Sequence, residues 1–217
     1  MSALRCQNRV VAVALHVWGI GASAGGASTV TPPASTTNYV AADASLSGKT
    51  FSAFADADGN LFPDNDERAI FFAKGVVETV KKLNWSPDII HVHDWLASLL
   101  PLYLRKYYAD EPIFADSKIV TSVYGQGFEG ELDSAIVDKI AFDGIPTEDI
   151  KALEKPDYNN LLKIAVDHSD AIILASEQIP DELDKHISNL SKPVLPYVSF
   201  KETEEAYANF YNSEVLK

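Results

Sequence analysis

The sequence predicts an α/β domain with a doubly wound, mostly parallel Rossmann-like sheet. Three short apolar segments, at 88–93, 118–123 and 171–175, are typical of strands buried on both faces. Segments with the 3.6-residue period of amphipathic helices separate these strands along the chain. Strands and helices that alternate in this way form parallel sheets with helices on both sides.

The elements follow one another from residue 64 onward. Asp64 and Glu67 have the spacing of a capping box, and apolar residues at helical spacing up to Leu83 predict a long amphipathic helix. Asp94 is predicted to cap a helix over 95–108 that Pro101 kinks. The later predicted elements are a strand at 118–123, a loop at 124–130, a helix at 158–168, a strand at 171–175, a helix at 180–189, a strand at 193–197 and a helix at 202–211.

Composition and charge exclude several classes of protein. The 217 residues are 47% hydrophobic and 23% charged, which suits one ordinary α/β domain and excludes wholesale disorder. The formal net charge of -13 opposes binding to nucleic acid or to an anionic membrane, so we expect neither partner. The single cysteine, Cys6, excludes a disulfide framework and a cysteine-based zinc site.

Residues 1–50 differ from the rest of the chain, because they are rich in Ala, Ser, Thr and Gly and carry a single acidic residue, Asp43. We therefore separate an atypical low-complexity segment, 1–50, from a domain at 51–217. Residues 9–26 allow two interpretations: a secretory signal that ends at small residues, or a buried strand over 10–17 followed by a glycine loop. The glycines at 19, 21 and 25 lack the acidic partner of a dinucleotide site, so we expect no cofactor.

The sequence His93-Asp94-Trp95 lies where a strand gives way to a capped helix. Ligands of parallel sheets bind beyond the carboxyl ends of the strands, and helix N-termini suit oxygen-rich or anionic groups. Trp95 would offer a face for stacking against a sugar. In the alternative, Asp94 is only a cap, Trp95 belongs to the core and His93 packs against its neighbours. His91 shares a strand face with His93, but no third ligand is evident, so we expect a buried His91 and no metal.

Four runs, at 64–72, 86–104, 120–130 and 165–177, resemble the N-terminal catalytic domain of glycogen and bacterial starch synthases. The likeness covers most of residues 51–190, and it is greatest to a short stand-alone version of the domain that is associated with Bacteroidetes-type bacteria. Its most specific part is the histidine-aspartate-tryptophan sequence after a strand.

The resemblance implies a glucosyltransferase of GT-B architecture, in which ADP-glucose and an α-1,4-glucan meet between two Rossmann-like domains. It also implies a cytoplasmic location, a last helix that covers the sheet, and a position for His93 against the transferred glucosyl unit. We therefore predict His93 as the catalytic residue. The predicted substrate-binding residues are Asp94, Trp95, Tyr124, Gly125, Phe128, Glu129 and Gly130.

The sequence departs from the family pattern at three places. No lysine precedes Gly25-Gly26, so the donor-binding loop of the family is not recognisable. Tyr124-Gly125 and Phe128-Glu129-Gly130 replace the family's histidine-asparagine and tyrosine-glutamine-glycine, and Glu129 adds negative charge where a diphosphate would bind. We also expect no second domain after Lys217, and a start over 1–45 that differs from the family's.

Three functional interpretations stay open. The first is a glucosyltransferase that acts with a separately encoded donor domain or as a homodimer. The second is a non-catalytic glucan-binding or regulatory subunit. The third is a domain that folds without either activity.

Overall fold

The computed structural model describes residues 10–13, 54–55, 60–199 and 202–217. Its strands are β1 (Val10–Val13), β2 (Ile89–His93), β3 (Lys118–Val123), β4 (Ala171–Leu174) and β5 (Val194–Leu195). Its α-helices are α1 (Asn65–Lys82), α2 (Leu100–Lys106), α3 (Ile136–Phe142), α4 (Tyr158–Asp167), α5 (Asp181–Ser188) and α6 (Thr203–Phe210). None of these helices has the length and apolar character that crossing a membrane requires.

The five described strands form one parallel sheet whose spatial order follows the chain order, β1 to β5. The predicted α/β fold with a parallel sheet is confirmed. β1 agrees with the strand interpretation of the N-terminal segment, since it pairs with β2 from Val10 to Val13. The glycine loop predicted after it lies outside the described residues.

Alternate residues of β2, β3 and β4 pack into two separate cores. The larger core joins one face of the sheet, through residues such as Ile90, Ile119 and Ile172, to helices α1 to α5. The smaller core joins the other face, through residues such as Val120 and Ile173, to α6 and the π-helical turn Tyr211–Val215 that follows it. The predicted cover of the sheet by the last helix is therefore confirmed.

The predicted helix over 95–108 is wrong. The chain forms a 3₁₀ turn, Trp95–Ala97, and then starts α2 at Leu100. Pro101 lies in the first turn of α2, where its missing N–H costs no intrahelical hydrogen bond, whereas inside a continuous helix it would have broken one. Proline here starts a helix and does not kink one.

The capping box predicted at the start of α1 is also wrong. The side chain of Asp64 makes no cap hydrogen bond, and it accepts instead from the guanidinium of Arg68 at 2.9 Å. Glu67 accepts from Lys139 of α3 at 2.8 Å. Lys139 also contacts the buried carboxylate of Asp66 at 2.5 Å, so the first turn of α1 is tied to α3 by ion pairs.

The sequence prediction lacks the 3₁₀ turn Pro112–Phe114, and it also lacks two longer elements, α3 and the 3₁₀ segment Thr147–Glu154. Both are short, and acidic or basic residues interrupt their apolar positions. The remaining predicted helices and strands from residue 158 onward are present, with ends that differ by at most two residues.

Candidate functional site

The candidate site lies at the carboxyl ends of β2 and β3. His93 is the last residue of β2 and is paired in register with Ser122 of β3, two residues before Tyr124. This register brings the Nδ1 atom of His93 to 2.8 Å from the phenol oxygen of Tyr124. Burial raises the pKa of the Tyr124 phenol, which therefore stays neutral at physiological pH.

His91 lies beside His93 on the same face of the strand. It is 3% exposed, as predicted, and its ring centroid is 3.9 Å from that of His93. Its Nε2 is 2.7 Å from the hydroxyl of Ser122, and its Nδ1 is 2.6 Å from the hydroxyl of Tyr211. Burial, and then the nearby imidazole of His93, hold the pKa of His91 well below its usual value of 6.5. Among the described residues, no cluster of three His, Cys, Asp or Glu side chains could hold a metal ion.

Asp94 joins β2 to the following 3₁₀ turn in a sparsely populated backbone conformation, with φ 66° and ψ 166°. Its carboxylate accepts the backbone N–H of Trp95 at 2.6 Å. The expected cap is therefore present, but it caps a 3₁₀ turn and not the long helix of the prediction. A residue held at positive φ directly after His93 fixes the direction in which the chain leaves the site.

Trp95 does not offer the sugar-stacking face expected from the sequence. Its side chain is 2% exposed, and its ring makes edge contacts with Phe54 at 5.3 Å and with Phe128 at 4.9 Å between centroids. Trp95 therefore belongs to the core and contacts the 124–130 loop through the ring of Phe128. The alternative interpretation of this residue is the correct one.

Close contacts with two other segments fix the 124–130 loop. The N–H of Gly125 donates to the hydroxyl of Ser176 at 2.9 Å, and a Cβ at position 125 would lie 2.1 Å from the carbonyl oxygen of Gln178. A Cβ at Gly127 would lie 2.1 to 2.4 Å from three ring atoms of Tyr158. Glycine is required at both positions because the neighbouring chain occupies the space of a side chain.

An open groove of about 700 Å³ lies against this loop. Four predicted site residues line it, namely Gly125, Phe128, Glu129 and Gly130. The residues that line it and that sequence reasoning missed are Gln126, Gly127, Glu131, Lys155, Asp157, Tyr158, Asn159 and Pro180. The predicted site is thus divided: Gly125, Phe128, Glu129 and Gly130 line the groove, whereas His93 and Tyr124 are not among its lining residues.

One sequence signal could have identified the second wall of the groove. Asp157 follows Pro156 and caps α4, with its carboxylate accepting the N–H of Asn160 at 2.9 Å. In a parallel α/β sheet, the helix that leads into a strand begins at the edge where the strands end. The cap of α4 was therefore a marker for residues next to the loop.

The groove is acidic. Glu129, Glu131 and Asp157 line it, and Lys155 is the one cation among its described lining residues. Lys155 is paired with Asp157 at 2.9 Å, and this hydrogen bond raises the pKa of the Lys155 ammonium. This arrangement suits a neutral ligand that brings hydroxyl donors, and it opposes an anionic one.

Comparison with known proteins gives a consistent result. The sequence model of the family described as the starch synthase catalytic domain matches residues 8–191. A glycogen synthase of Chlorobium phaeobacteroides is 40% identical over 126 residues, which are 58% of this chain and 25% of that protein. A glycogen synthase of Thermotoga maritima is 34% identical over 132 residues, which are 60% of this chain and 26% of that protein.

The solved structures include a similar chain, the catalytic domain of starch synthase IV from Arabidopsis thaliana, bound to ADP and acarbose. Its sequence identity to this chain is 18% and the TM-score is 0.49, and the match covers 64% of this chain and 30% of that one. The chain spans about a quarter of the length of the curated relatives it matches. The family match starts at residue 8, so it includes most of the segment that composition sets apart. Because this match extends over most of the 217 residues, the chain belongs to the starch synthase catalytic domain family.

Proposed function

We propose that this chain binds an α-1,4-glucan in the groove beside the 124–130 loop and serves as the acceptor-binding part of a glucosyltransferase that uses ADP-glucose. Family membership supports the reaction class. The observation that carries the proposal is the groove itself, which is open and acidic.

The charges of the groove favour the glucan over the nucleotide sugar as its ligand. Three carboxylates and one paired ammonium leave the lining with a net negative charge. A diphosphate placed there would be repelled, because like charges a few ångströms apart raise each other's energy. A glucan is uncharged, and its hydroxyls donate to carboxylates such as those of Glu129 and Glu131.

The position of His93 supports a role near the transferred sugar. It ends a strand inside the sheet, it is partly exposed, and its imidazole contacts Tyr124, which directly precedes Gly125 of the groove lining. A glucosyl transfer develops positive charge on the sugar ring and negative charge on the leaving diphosphate, so the site must supply oriented dipoles for both. We propose His93 as one of these groups. Asp94 and the 124–130 loop orient it.

The second candidate function is a non-catalytic glucan-binding or regulatory subunit. It is favoured by the same acidic lining, since an anionic donor would need cations that the described lining of the groove does not supply. A cytoplasmic location and a partner that supplies the donor site stay predictions from the family resemblance.

Calorimetric titration with maltoheptaose and, separately, with ADP-glucose tests the proposal. We expect maltoheptaose to bind and His93→Ala to weaken its affinity, with an unchanged unfolding midpoint because His93 is at the end of its strand. His186→Ala is the matched control, since it removes an imidazole in the last turn of α5 that pairs with Asp167. Binding of maltoheptaose alone favours the subunit, binding of both ligands favours the transferase, and absence of maltoheptaose binding refutes the proposed function.

A further inference from the structure

A continuous chain of contacts leads from the start of α4 to His93. Tyr158, in the first turn of α4, is 6% exposed, and its hydroxyl donates to the carbonyl oxygen of Tyr124 at 2.8 Å. Its ring fills the space beside Gly127 and meets the edge of Phe128 at 6.2 Å between centroids. These contacts therefore hold the backbone of Tyr124 in place against α4.

The side chain of Tyr124 continues this chain to the imidazole. Its phenol lies 2.8 Å from Nδ1 of His93. Burial favours the protonated phenol, as does the negative charge of the nearby Asp94. If the phenol donates to Nδ1, its hydroxyl proton has a hydrogen-bond acceptor. If the phenol instead accepted from Nδ1–H, its own hydroxyl proton would need a different acceptor.

We infer that Tyr124 is a positioning residue that fixes His93 as the Nε2–H tautomer, and that Tyr158 holds Tyr124 in the place where it can do so. Nδ1 then accepts from the phenol, and Nε2 carries the proton that is donated to an oxygen of the bound sugar. The contact between His93 and the sugar rests on the proposed function, whereas the tautomer of His93 does not.

His91 limits the freedom of His93 from the other side. Its ring lies 3.9 Å from that of His93 between centroids, and both of its nitrogens are engaged, with Ser122 and with Tyr211. A ring packed this closely restricts rotation of the neighbouring imidazole. The ring of His91 therefore restricts the orientation of His93, while the phenol at Nδ1 acts on its tautomer.

Nitrogen-15 NMR of the imidazole side chains tests the tautomer directly, at about pH 8 where the imidazoles are neutral. We expect His93 in the wild-type protein to show a protonated Nε2 and an unprotonated Nδ1. Tyr124→Phe removes the hydroxyl and should move His93 towards a mixture of tautomers. Tyr158→Phe keeps the ring but loses the bond to the Tyr124 carbonyl, so the same change should be smaller. Tyr197→Phe is the control, because Tyr197 is 46% exposed.

The same variants are titrated with maltoheptaose. We expect Tyr124→Phe to weaken binding by about two- to tenfold, the range of one lost neutral hydrogen bond. A wild-type His93 protonated at Nδ1, or a tautomer unchanged in Tyr124→Phe, overturns the inference. If the tautomer changes in Tyr124→Phe but the affinity for maltoheptaose does not, the positioning role of Tyr124 in sugar binding is overturned. If the wild-type protein does not bind maltoheptaose, the proposed function fails, and the NMR result still decides whether Tyr124 sets the tautomer.

Discussion

Gly127 packs against the ring of Tyr158 with no room for a side chain, so Gly127→Ala tests the packing of the 124–130 loop on α4. The added methyl carbon would lie 2.1 Å from Cδ2, 2.3 Å from Cγ and 2.4 Å from Cε2 of Tyr158. Carbon atoms pack at about 3.5–4.0 Å, so the ring or the loop must retreat by roughly 1.5 Å. Tyr158 cannot retreat freely, because it is buried and its hydroxyl is bonded to the carbonyl of Tyr124.

The expected loss of stability follows from these two constraints. Overpacking costs about 1–3 kcal/mol, and the strained or lost hydrogen bond of Tyr158 adds about 0.5–1.5 kcal/mol. For a chain of this size the sum lowers the unfolding midpoint by roughly 5–15 °C. Thermal and urea unfolding measure this change, and maltoheptaose titration shows whether the groove changes with it.

A matched control removes a glycine where space is free. Gly75 is in the middle of α1, with nothing within 4 Å of its ideal Cβ position, so Gly75→Ala should stabilise the protein by about 0.5–1 kcal/mol. Combining Gly127→Ala with Tyr158→Ala should cost less than the sum of the two single changes, because the small side chain removes the clash. Equal stability of Gly127→Ala and wild type, or strict additivity in the double variant, would refute the packing argument.

Two further predictions concern charge. The pKa of His91 is lowered on folding, so below about pH 6.5 the unfolded state binds more protons than the folded state. The unfolding free energy should therefore fall, by up to about 1.4 kcal/mol per pH unit from this group, as the pH drops. Urea titrations at pH 7.5 and pH 5.5 measure this change, and His91→Gln should reduce the dependence of the unfolding free energy on pH. Lys139→Met should destabilise the protein more than Arg68→Met, because Lys139 neutralises the 1% exposed Asp66, whereas Arg68 pairs on the surface. Adding Asp66→Asn should recover part of the loss, and an equal effect of the two methionine variants would contradict this account.

The sequence was sufficient where local pattern and burial agree. The three central strands and the helices at 65–82, 158–167 and 181–188 follow the period and the end signals of their segments. The position of His93 at a strand end and the burial of His91 also followed from pattern, since both depend only on strand alternation.

The sequence was insufficient where a residue had two local options of similar energy. Asp64 could cap α1 or pair with Arg68, and the second option is present. Trp95 could face solvent or the core, and the apolar neighbours Phe54 and Phe128 decide for the core. Pro101 could kink a helix or start one. In each case tertiary contacts decide between the two options.

The sequence by itself thus determined the fold class, the order of the main elements and the strand end that carries His93. Only the tertiary structure decided what surrounds that residue. The phenol of Tyr124 and the imidazole of His93 are 31 positions apart, and Lys139 and Asp66 are 73 apart. Such contacts depend on strand register and on how the helices pack against the sheet, and the local hydrophobic period encodes neither. Hydrophobic burial determines which face of an element points inward, but it does not determine which distant side chain lies opposite.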